Sequence, residues 1–192
     1  ADEPREMRHT ISITGMAPTM VLIYNYGAGY DYLLTKPIDT WGLTASASIK
    51  SGYLWLPLAG NNLLGAGRTL RSDLGVKAWW RVELENSRFD FFLGLSGVYI
   101  QEKHILYYQD SSKLPSVEVG RQLFSRILPG FALGIVFRPQ KISHWSFGMS
   151  FNGLLNNSAN MTYLVPNGAT LQNTGISLGR GLFWEFLVGY SF

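Results

Sequence analysis

Cysteine, helical periodicity and long apolar runs are all missing from this chain of 192 residues. The absence of cysteine fits a compartment in which stray thiols would be oxidised. No apolar run approaches the roughly 20 residues that a membrane-spanning helix needs. Charged residues make up only 15% of the chain, against roughly 25% in an ordinary soluble domain. The composition therefore excludes a helical membrane protein and leaves little charge for the surface of a soluble domain.

Aromatic residues and glycine are abundant instead, and apolar residues recur at every second position. The last ten residues, "FWEFLVGYSF", place five apolar side chains on one face of a strand: Trp184, Phe186, Val188, Tyr190 and Phe192. Comparable alternation occurs near residues 41–50, 76–84, 89–96, 121–138 and 145–152. A surface so rich in aromatics favours contact with lipid. A soluble β-sandwich is the competing interpretation.

The connections between these strands alternate in length. Short turns are predicted at about 35–40, 85–88 and 139–143, and longer loops at about 59–74, 103–120 and 156–177. Two further strands precede residue 35. The sequence therefore predicts an all-β fold, a transmembrane antiparallel up-and-down β-barrel of eight strands, with residues 1–192 as one domain and 1–8 as a periplasmic segment.

The face opposite the lipid side carries charges of both signs. The predicted interior residues are Lys50, Lys77, Arg81, Glu83, Asp90, Arg126 and Glu185. Because an unpaired charge inside such a wall is costly, a salt-bridge network filling the interior is the plain structural explanation. A gate that opens a narrow water path when these pairs rearrange is the functional alternative.

The terminal "LVGYSF" resembles the C-terminal assembly signal of bacterial outer-membrane barrels, and the whole pattern resembles the small eight-stranded barrels of the OmpA, OmpX and OmpW kinds. The resemblance implies that Val188, Tyr190 and Phe192 form the signal that the barrel assembly machinery recognises. It also implies a multi-pass β-barrel in the outer membrane of a Gram-negative cell envelope, in contact with lipid and lipopolysaccharide.

An enzymatic alternative rests on "HWS", since His144 and Ser146 are similar to the His-x-Ser of lipid A deacylase barrels. The strand order places His144 after a short turn at the periplasmic end, away from outer-leaflet lipid A, so we expect no catalytic residue. His9 and His104 lack metal-ligand spacing, so we expect no metal and no cofactor. The scattered basic residues, with a net charge of +3, do not indicate nucleic acid.

The predicted loops are unusually apolar, as in "LWLPLAGNNLLG" and "HILYYQ". They favour a non-enzymatic barrel that acts through extracellular loops, in binding, adhesion or membrane integrity, with a protein partner as one candidate. A narrow, porin-like channel for small or hydrophobic solutes is the second hypothesis. A lipid A modifying enzyme is the third.

Overall fold

The structure, a computed structural model, describes residues 7–18, 23–36, 40–58, 63–110, 113–140, 143–155, 160–167, 170–177 and 183–192. The regular elements in these ranges are β-strands. They are β1 (His9–Pro18), β2 (Ile23–Leu33), β3 (Trp41–Leu58), β4 (Leu63–Glu83), β5 (Arg88–Asp110), β6 (Lys113–Arg138), β7 (Trp145–Leu154), β8 (Asn160–Asn167), β9 (Thr170–Ser177) and β10 (Phe183–Ser191). The described residues contain no helix long and apolar enough to cross a membrane.

Eight of these strands form one closed antiparallel barrel. Their order around the barrel is β1-β10-β7-β6-β5-β4-β3-β2. The barrel closes where β1 pairs with β10, from Thr10 opposite Ser191 to Pro18 opposite Phe183. Barrel strands that follow one another in the sequence are also hydrogen-bonded neighbours in the barrel. The predicted up-and-down barrel of eight strands is therefore confirmed.

One end of the barrel, here called the turn end, holds the three short connections at 34–40, 84–87 and 139–144. The hydrogen bond from the Leu84 amide to the Ser87 carbonyl, 2.9 Å long, closes the second of them. These are the three turns that the sequence predicts. The start of β1 and the end of β10 lie at the same end.

The opposite end, here called the projecting end, differs from the sequence prediction. β4, β5 and β6 are 21, 23 and 26 residues long, whereas β1, β2, β7 and β10 have between 9 and 11. β5 and β6 stay paired as far as Asp110 opposite Lys113. The parts of β3–β6 furthest from the turn end, residues 54–58, 63–67, 104–110 and 113–122, are here called the projecting sheet.

The projecting sheet corrects the prediction of long loops at 59–74 and 103–120, because most of those residues lie in paired strands. Polar residues suggested a loop, but in β4 the polar residues Thr69, Arg71 and Asp73 are the inward-facing positions of a regular strand. The predicted loop at 156–177 is likewise wrong in part. β8 and β9 form a separate two-stranded hairpin within that connection.

Pro129 marks the point where β6 passes the end of β7. The ladder between these strands runs from Phe137 opposite Phe147 to Gly130 opposite Leu154. The Pro129 carbonyl accepts one more hydrogen bond, 2.7 Å long, from the Leu155 amide. In an antiparallel strand the N–H and C=O of one residue point to the same side, so the N–H that Pro129 lacks would also have pointed at β7. A proline therefore fits there without loss to the β5–β6 ladder.

The outer wall of the barrel is apolar and exposed. Its most exposed large side chains include Ile13, Leu74, Trp80, Leu95 and Ile127. Trp41 and Tyr53 lie on the outer face of β3, twelve residues apart. That separation is ~40 Å of strand, or ~30 Å along the axis of a barrel tilted by about 40°, which matches the roughly 30 Å of bilayer hydrocarbon.

Aromatic residues lie at both margins of this apolar band, as in transmembrane barrels. Trp41, Trp80, Trp145 and Tyr190 lie near the turn end, and Tyr26, Tyr53 and Trp184 lie toward the projecting end. Because water would not tolerate a continuous apolar band of this size, the surrounding medium must be lipid. The chain is a transmembrane β-barrel.

The division between outer and inner faces leads to a prediction about charge tolerance. Leu133 is 57% exposed on the outer wall, whereas Ser46 faces the interior opposite Asp31 of β2. Arginine on a lipid face costs roughly 2 to 4 kcal/mol near the bilayer midplane. We expect Leu133→Arg to lose much of the folded barrel in lipid vesicles, and Ser46→Arg to lose less, as measured by heat-modifiable gel migration and urea unfolding. The opposite ranking would mean that the two faces are exchanged.

Candidate functional site: the charged interior of the barrel

The interior of the barrel holds three groups of side chains. An arginine cluster lies near the turn end, a charged cluster around a small cavity lies further along the barrel, and buried apolar side chains lie beside that charged cluster. All three arise from the same alternation, because every second residue of each strand faces inward.

Four residues from three strands form the central charge cluster: Lys50, Arg71, Asp73 and Glu185. Lys50 Nζ lies 2.9 Å from Glu185 Oε1 and 3.3 Å from Asp73 Oδ2. Arg71 holds the same aspartate, with its terminal nitrogen 2.8 Å from Asp73 Oδ1. The side chains of Lys50 and Glu185 are 4% and 9% exposed, so this ion pair is buried. Two cations and two carboxylates balance one another.

Neutral groups complete the central charge cluster. Asn152 donates a hydrogen bond of 2.9 Å from its side-chain amide to Glu185, and the Ser48 hydroxyl donates one of 3.0 Å to Asp73. Such bonds satisfy lone pairs that a buried carboxylate would otherwise leave empty. The cluster is therefore fixed by both charge and hydrogen bonding.

A second ion pair joins Lys77 to Asp31, at 2.9 Å, on the side of the central charge cluster nearer the turn end. A cavity of about 70 Å³ lies between the two groups and is lined by Ser12, Thr14, Ser46 and Ser150 among others. The Lys77 ammonium also lies 5.3 Å from the centre of the Phe92 ring. That ring fits only because its neighbour is Gly134, where a Cβ would lie 2.5 Å from the Phe92 ring edge. The glycine therefore leaves the space that the large side chain occupies.

Buried apolar side chains form the third group. Met16, Val98, Ile100 and Phe183 are each at most 8% exposed. Three of them are cross-strand partners of the central charge cluster: Val98 is opposite Asp73, Ile100 is opposite Arg71, and Met16 is opposite Glu185. These side chains fill space beside the ion pairs and narrow any path for water.

The group at the turn end is the arginine cluster, defined as Arg81, Arg88 and Arg138. Asp90 lies between two of them, with Oδ1 3.0 Å from Arg81 and Oδ2 3.0 Å from Arg88. The Arg81 guanidinium also stacks over Trp79, at 4.6 Å from the ring. Arg138 donates hydrogen bonds of 2.8 Å to the Ser191 hydroxyl and of 3.2 Å to a turn carbonyl.

The predicted interior residues fall into these groups unequally. The structure brings Lys50 and Glu185 together in the central cluster, places Lys77 beside the cavity and pairs Arg81 with Asp90. It does not bring the remaining two into the buried clusters. Glu83 is exposed beside the turn at 84–87, and Arg126 is exposed opposite Ile100, toward the projecting end.

Five charged interior residues were missing from the sequence prediction: Asp31, Arg71, Asp73, Arg88 and Arg138. A signal for some of them was present. Continuing the alternation of β4 upstream from Lys77 points Asp73 and Arg71 inward, but these residues were assigned to a loop. Arg88 and Arg138 adjoin turns, where alternation gives little information.

His144 and Ser146 do not form a reactive pair. His144 is exposed, stacks on the Tyr190 ring at 5.4 Å, and its Nδ1 lies 2.7 Å from the Ser191 carbonyl oxygen. Ser146 is 1% exposed and faces the interior. Among the described residues no hydrogen bond joins the two. The part of the chain described also contains no group of three metal-ligating residues.

The predicted assembly signal lies on the outer wall at the junction of β1 and β10. Val188, Tyr190 and Phe192 are between 42% and 52% exposed. The Phe192 ring stacks on His9 of β1 with ring centres 5.5 Å apart, and Tyr190 meets Trp145 edge-on at 5.2 Å. Recognition of these residues by the assembly machinery stays a prediction.

The central charge cluster leads to a prediction about stability. Glu185→Gln leaves Lys50 and Arg71 to share Asp73, so a buried positive charge loses its partner. Breaking a buried pair in this way costs about 3 to 5 kcal/mol, while replacing both partners costs much less. We expect Glu185→Gln to lower the free energy of unfolding in vesicles strongly, and Lys50→Met together with Glu185→Gln to recover much of the loss. A double variant no better than the single one would show that the pair is not coupled.

The chain was compared with known proteins. No protein-family model matches it, and neither does any curated protein. Among solved structures it is similar to the N-terminal β-barrel domain of Pseudomonas aeruginosa OprF, with 13% identity over 97% of this chain and 98% of that one and a TM-score of 0.46. It is also similar to Ail, the attachment invasion locus protein of Yersinia pestis, in complex with the heparin analogue sucrose octasulfate, with 12% identity over 97% of each chain and a TM-score of 0.47.

Proposed function

We propose that this protein is a non-enzymatic barrel of the Gram-negative outer membrane that acts at the cell surface, in binding, adhesion or membrane integrity. The observation that supports the proposal is the projecting sheet. Four strands continue past the ends of their neighbours, so that β6 runs from residue 129 to residue 113 without β7 beside it. β6 as a whole has 26 residues, or roughly 85 Å of strand at about 3.3 Å per residue, which is about twice the ~40 Å of strand that crosses the hydrocarbon.

The orientation follows from the two ends. Bacterial outer-membrane barrels have short turns on the periplasmic side and longer excursions of the chain outside. Here the longer excursions are the projecting sheet and the chain between β7 and β10, so we place the turn end in the periplasm, with residues 1–8 on that side and residues 1–192 forming one domain. The projecting sheet then stands outside the cell, where a binding surface can reach its partner.

A row of residues at the base of the projecting sheet suits contact with lipopolysaccharide. Tyr53 is opposite Arg68, and Arg68 is opposite Lys103, all three exposed on the outer wall. The Arg68 guanidinium lies 5.5 Å from the Tyr53 ring. Like charges side by side on neighbouring strands repel one another, and an anion between them removes that cost. The phosphates of lipopolysaccharide lie at this level, beside the aromatic margin of the apolar band.

The barrel assembly machinery is the second proposed partner, through Val188, Tyr190 and Phe192. These side chains lie in one row on the exposed face of β10, the strand that must pair with β1 to close the barrel. An assembly factor that holds this strand can therefore control the closing step.

Trimming the projecting sheet tests the proposed function. We expect a variant in which short Asn-Gly turns replace residues 54–67 and 104–122 to insert at normal levels, because the barrel ladders below these residues remain. In the native bacterium this variant should resemble a deletion of the whole protein in surface adherence and in outer-membrane permeability to a hydrophobic dye. Wild-type behaviour of the trimmed variant would contradict the proposal.

Two controls make this experiment specific. Shortening the β8–β9 hairpin removes residues at the same end of the barrel but leaves the projecting sheet intact, so it should have a smaller effect. Arg68→Gln with Lys103→Gln keeps the sheet and removes only the two charges, so it should lower the lipopolysaccharide that co-purifies with the barrel. If equal amounts of lipopolysaccharide co-purify with the wild type and the double variant, that row of residues does not contribute to lipopolysaccharide binding.

A narrow channel is the second candidate function, favoured by the polar cavity between the ion pairs. The packing of the interior argues against it, because Val98, Ile100 and Phe183 are buried and the first two lie beside the central charge cluster. We expect the wild-type protein to give no stable conductance in planar bilayers, and Ile100→Ala with Phe183→Ala to give measurable conductance. Stable conductance of the wild type would favour the channel instead.

A further inference from the structure

The arginine cluster at the turn end has more positive charge than the described residues around it balance. Arg88 is the cross-strand partner of Arg138, so two inward-facing guanidinium groups meet on neighbouring strands. Within the described ranges, the acidic residues beside the cluster are Asp90, which contacts Arg81 and Arg88, and the exposed Glu83 opposite Arg88. In that part of the chain three cations therefore face two carboxylates, of which one is exposed to solvent.

Two donors in this cluster are buried and unpaired. The Nε atoms of Arg88 and Arg138 have no hydrogen-bond partner among the described residues and are shielded from solvent. Arg138 as a whole is 9% exposed, and the bonds it makes go to the neutral oxygens of Ser191 and Ser143. A buried donor without an acceptor costs free energy, and the cost is larger when the donor is charged.

An oxyanion meets both requirements. It supplies negative charge to the excess of guanidinium groups, and it accepts hydrogen bonds from donors that otherwise have none. The planar fork of arginine matches phosphate and carboxylate oxygens in pairs, and two or three such forks favour an anion with several oxygens in different directions. A tetrahedral phosphate has that shape.

We propose that the arginine cluster is a phosphate-binding site at the inner mouth of the barrel, with Arg88 and Arg138 as its principal donors. The phosphate comes either from solution, as inorganic phosphate, or from the headgroup of an anionic lipid in the adjoining leaflet. The side chains of Arg88 and Asp90 are each 15% exposed, so the cluster is open on one side. The site is independent of the projecting sheet and of the function proposed for it.

The test follows the Nε–H resonances of arginine by nuclear magnetic resonance in the full chain, folded in a detergent that contains no phosphate group. Arg88→Gln and Arg138→Gln assign the two signals. Titration with inorganic phosphate at constant ionic strength should shift both signals in a saturable manner. The Nε–H of Arg71, which donates to Asp73 in the central charge cluster, should not follow the same curve.

The variants measure the contribution of each donor. Arg138→Gln should weaken phosphate binding by about tenfold or more, as expected when one charge-assisted hydrogen bond is lost, and Arg138→Lys should retain part of the affinity. Heat-modifiable gel migration shows whether each variant is folded, and Arg88→Gln provides an independent variant if Arg138→Gln fails to fold. Unchanged affinity in a folded variant would overturn the assignment of its donor.

A second arm separates the two sources of phosphate. The protein is placed in nanodiscs made either of phosphatidylglycerol or of an uncharged glycolipid. Shifts that require phosphatidylglycerol, with no response to inorganic phosphate, would identify the ligand as a lipid headgroup. Shifts with inorganic phosphate in both lipids would identify soluble phosphate. The absence of any response in both arms would overturn the proposal.

Discussion

The pairing of every backbone amide and carbonyl within the membrane is the constraint on which the rest of this structure depends. Lipid offers no hydrogen-bond partner, so a sheet that crosses a bilayer must close on itself. Here closure is made by β1 and β10, from Thr10 opposite Ser191 onward. The constraint ends where the membrane ends, so the strands of the projecting sheet need no neighbour on both sides, and β6 continues there without β7 beside it.

Closure also creates the interior, and the narrow interior of an eight-stranded barrel forces its charges into contact. Lys50 reaches Glu185 across the barrel, from β3 to β10, and shares Asp73 with Arg71. Over the part of the chain that the structure describes, the charges are balanced in the middle of the barrel and unbalanced at the turn end, where Arg138 contacts neutral oxygens. Because of this difference, the central charge cluster supports the fold, whereas the arginine cluster is suited to bind an anion.

The sequence predicted which way side chains point better than how far along the barrel they lie. Alternation placed Trp80, Leu133 and Phe186 on the outer wall, where the structure finds them exposed. The same alternation assigned Glu83 to the interior face. The distance of Glu83 from the central charge cluster depends on the strand register, and the periodicity of a sequence carries no information about register. Asp73 and Arg71 were missed because polar residues fill most positions from 68 to 73 of β4, so that the composition resembles a loop even though these two side chains face the interior.

The distance in sequence between β1 and β10 has a consequence for the order of folding. The hairpins β1–β2, β3–β4 and β5–β6 join strands separated by short connections, so each can form as soon as its own residues are available. The pair of Thr10 and Ser191, whose hydroxyl oxygens lie 2.8 Å apart, joins residues 181 positions apart. The loop that this contact closes contains nearly the whole domain, and its entropic cost is correspondingly the largest. The β1–β10 ladder must therefore be the last to form. Until it forms, the chain is an open sheet with two unpaired edge strands.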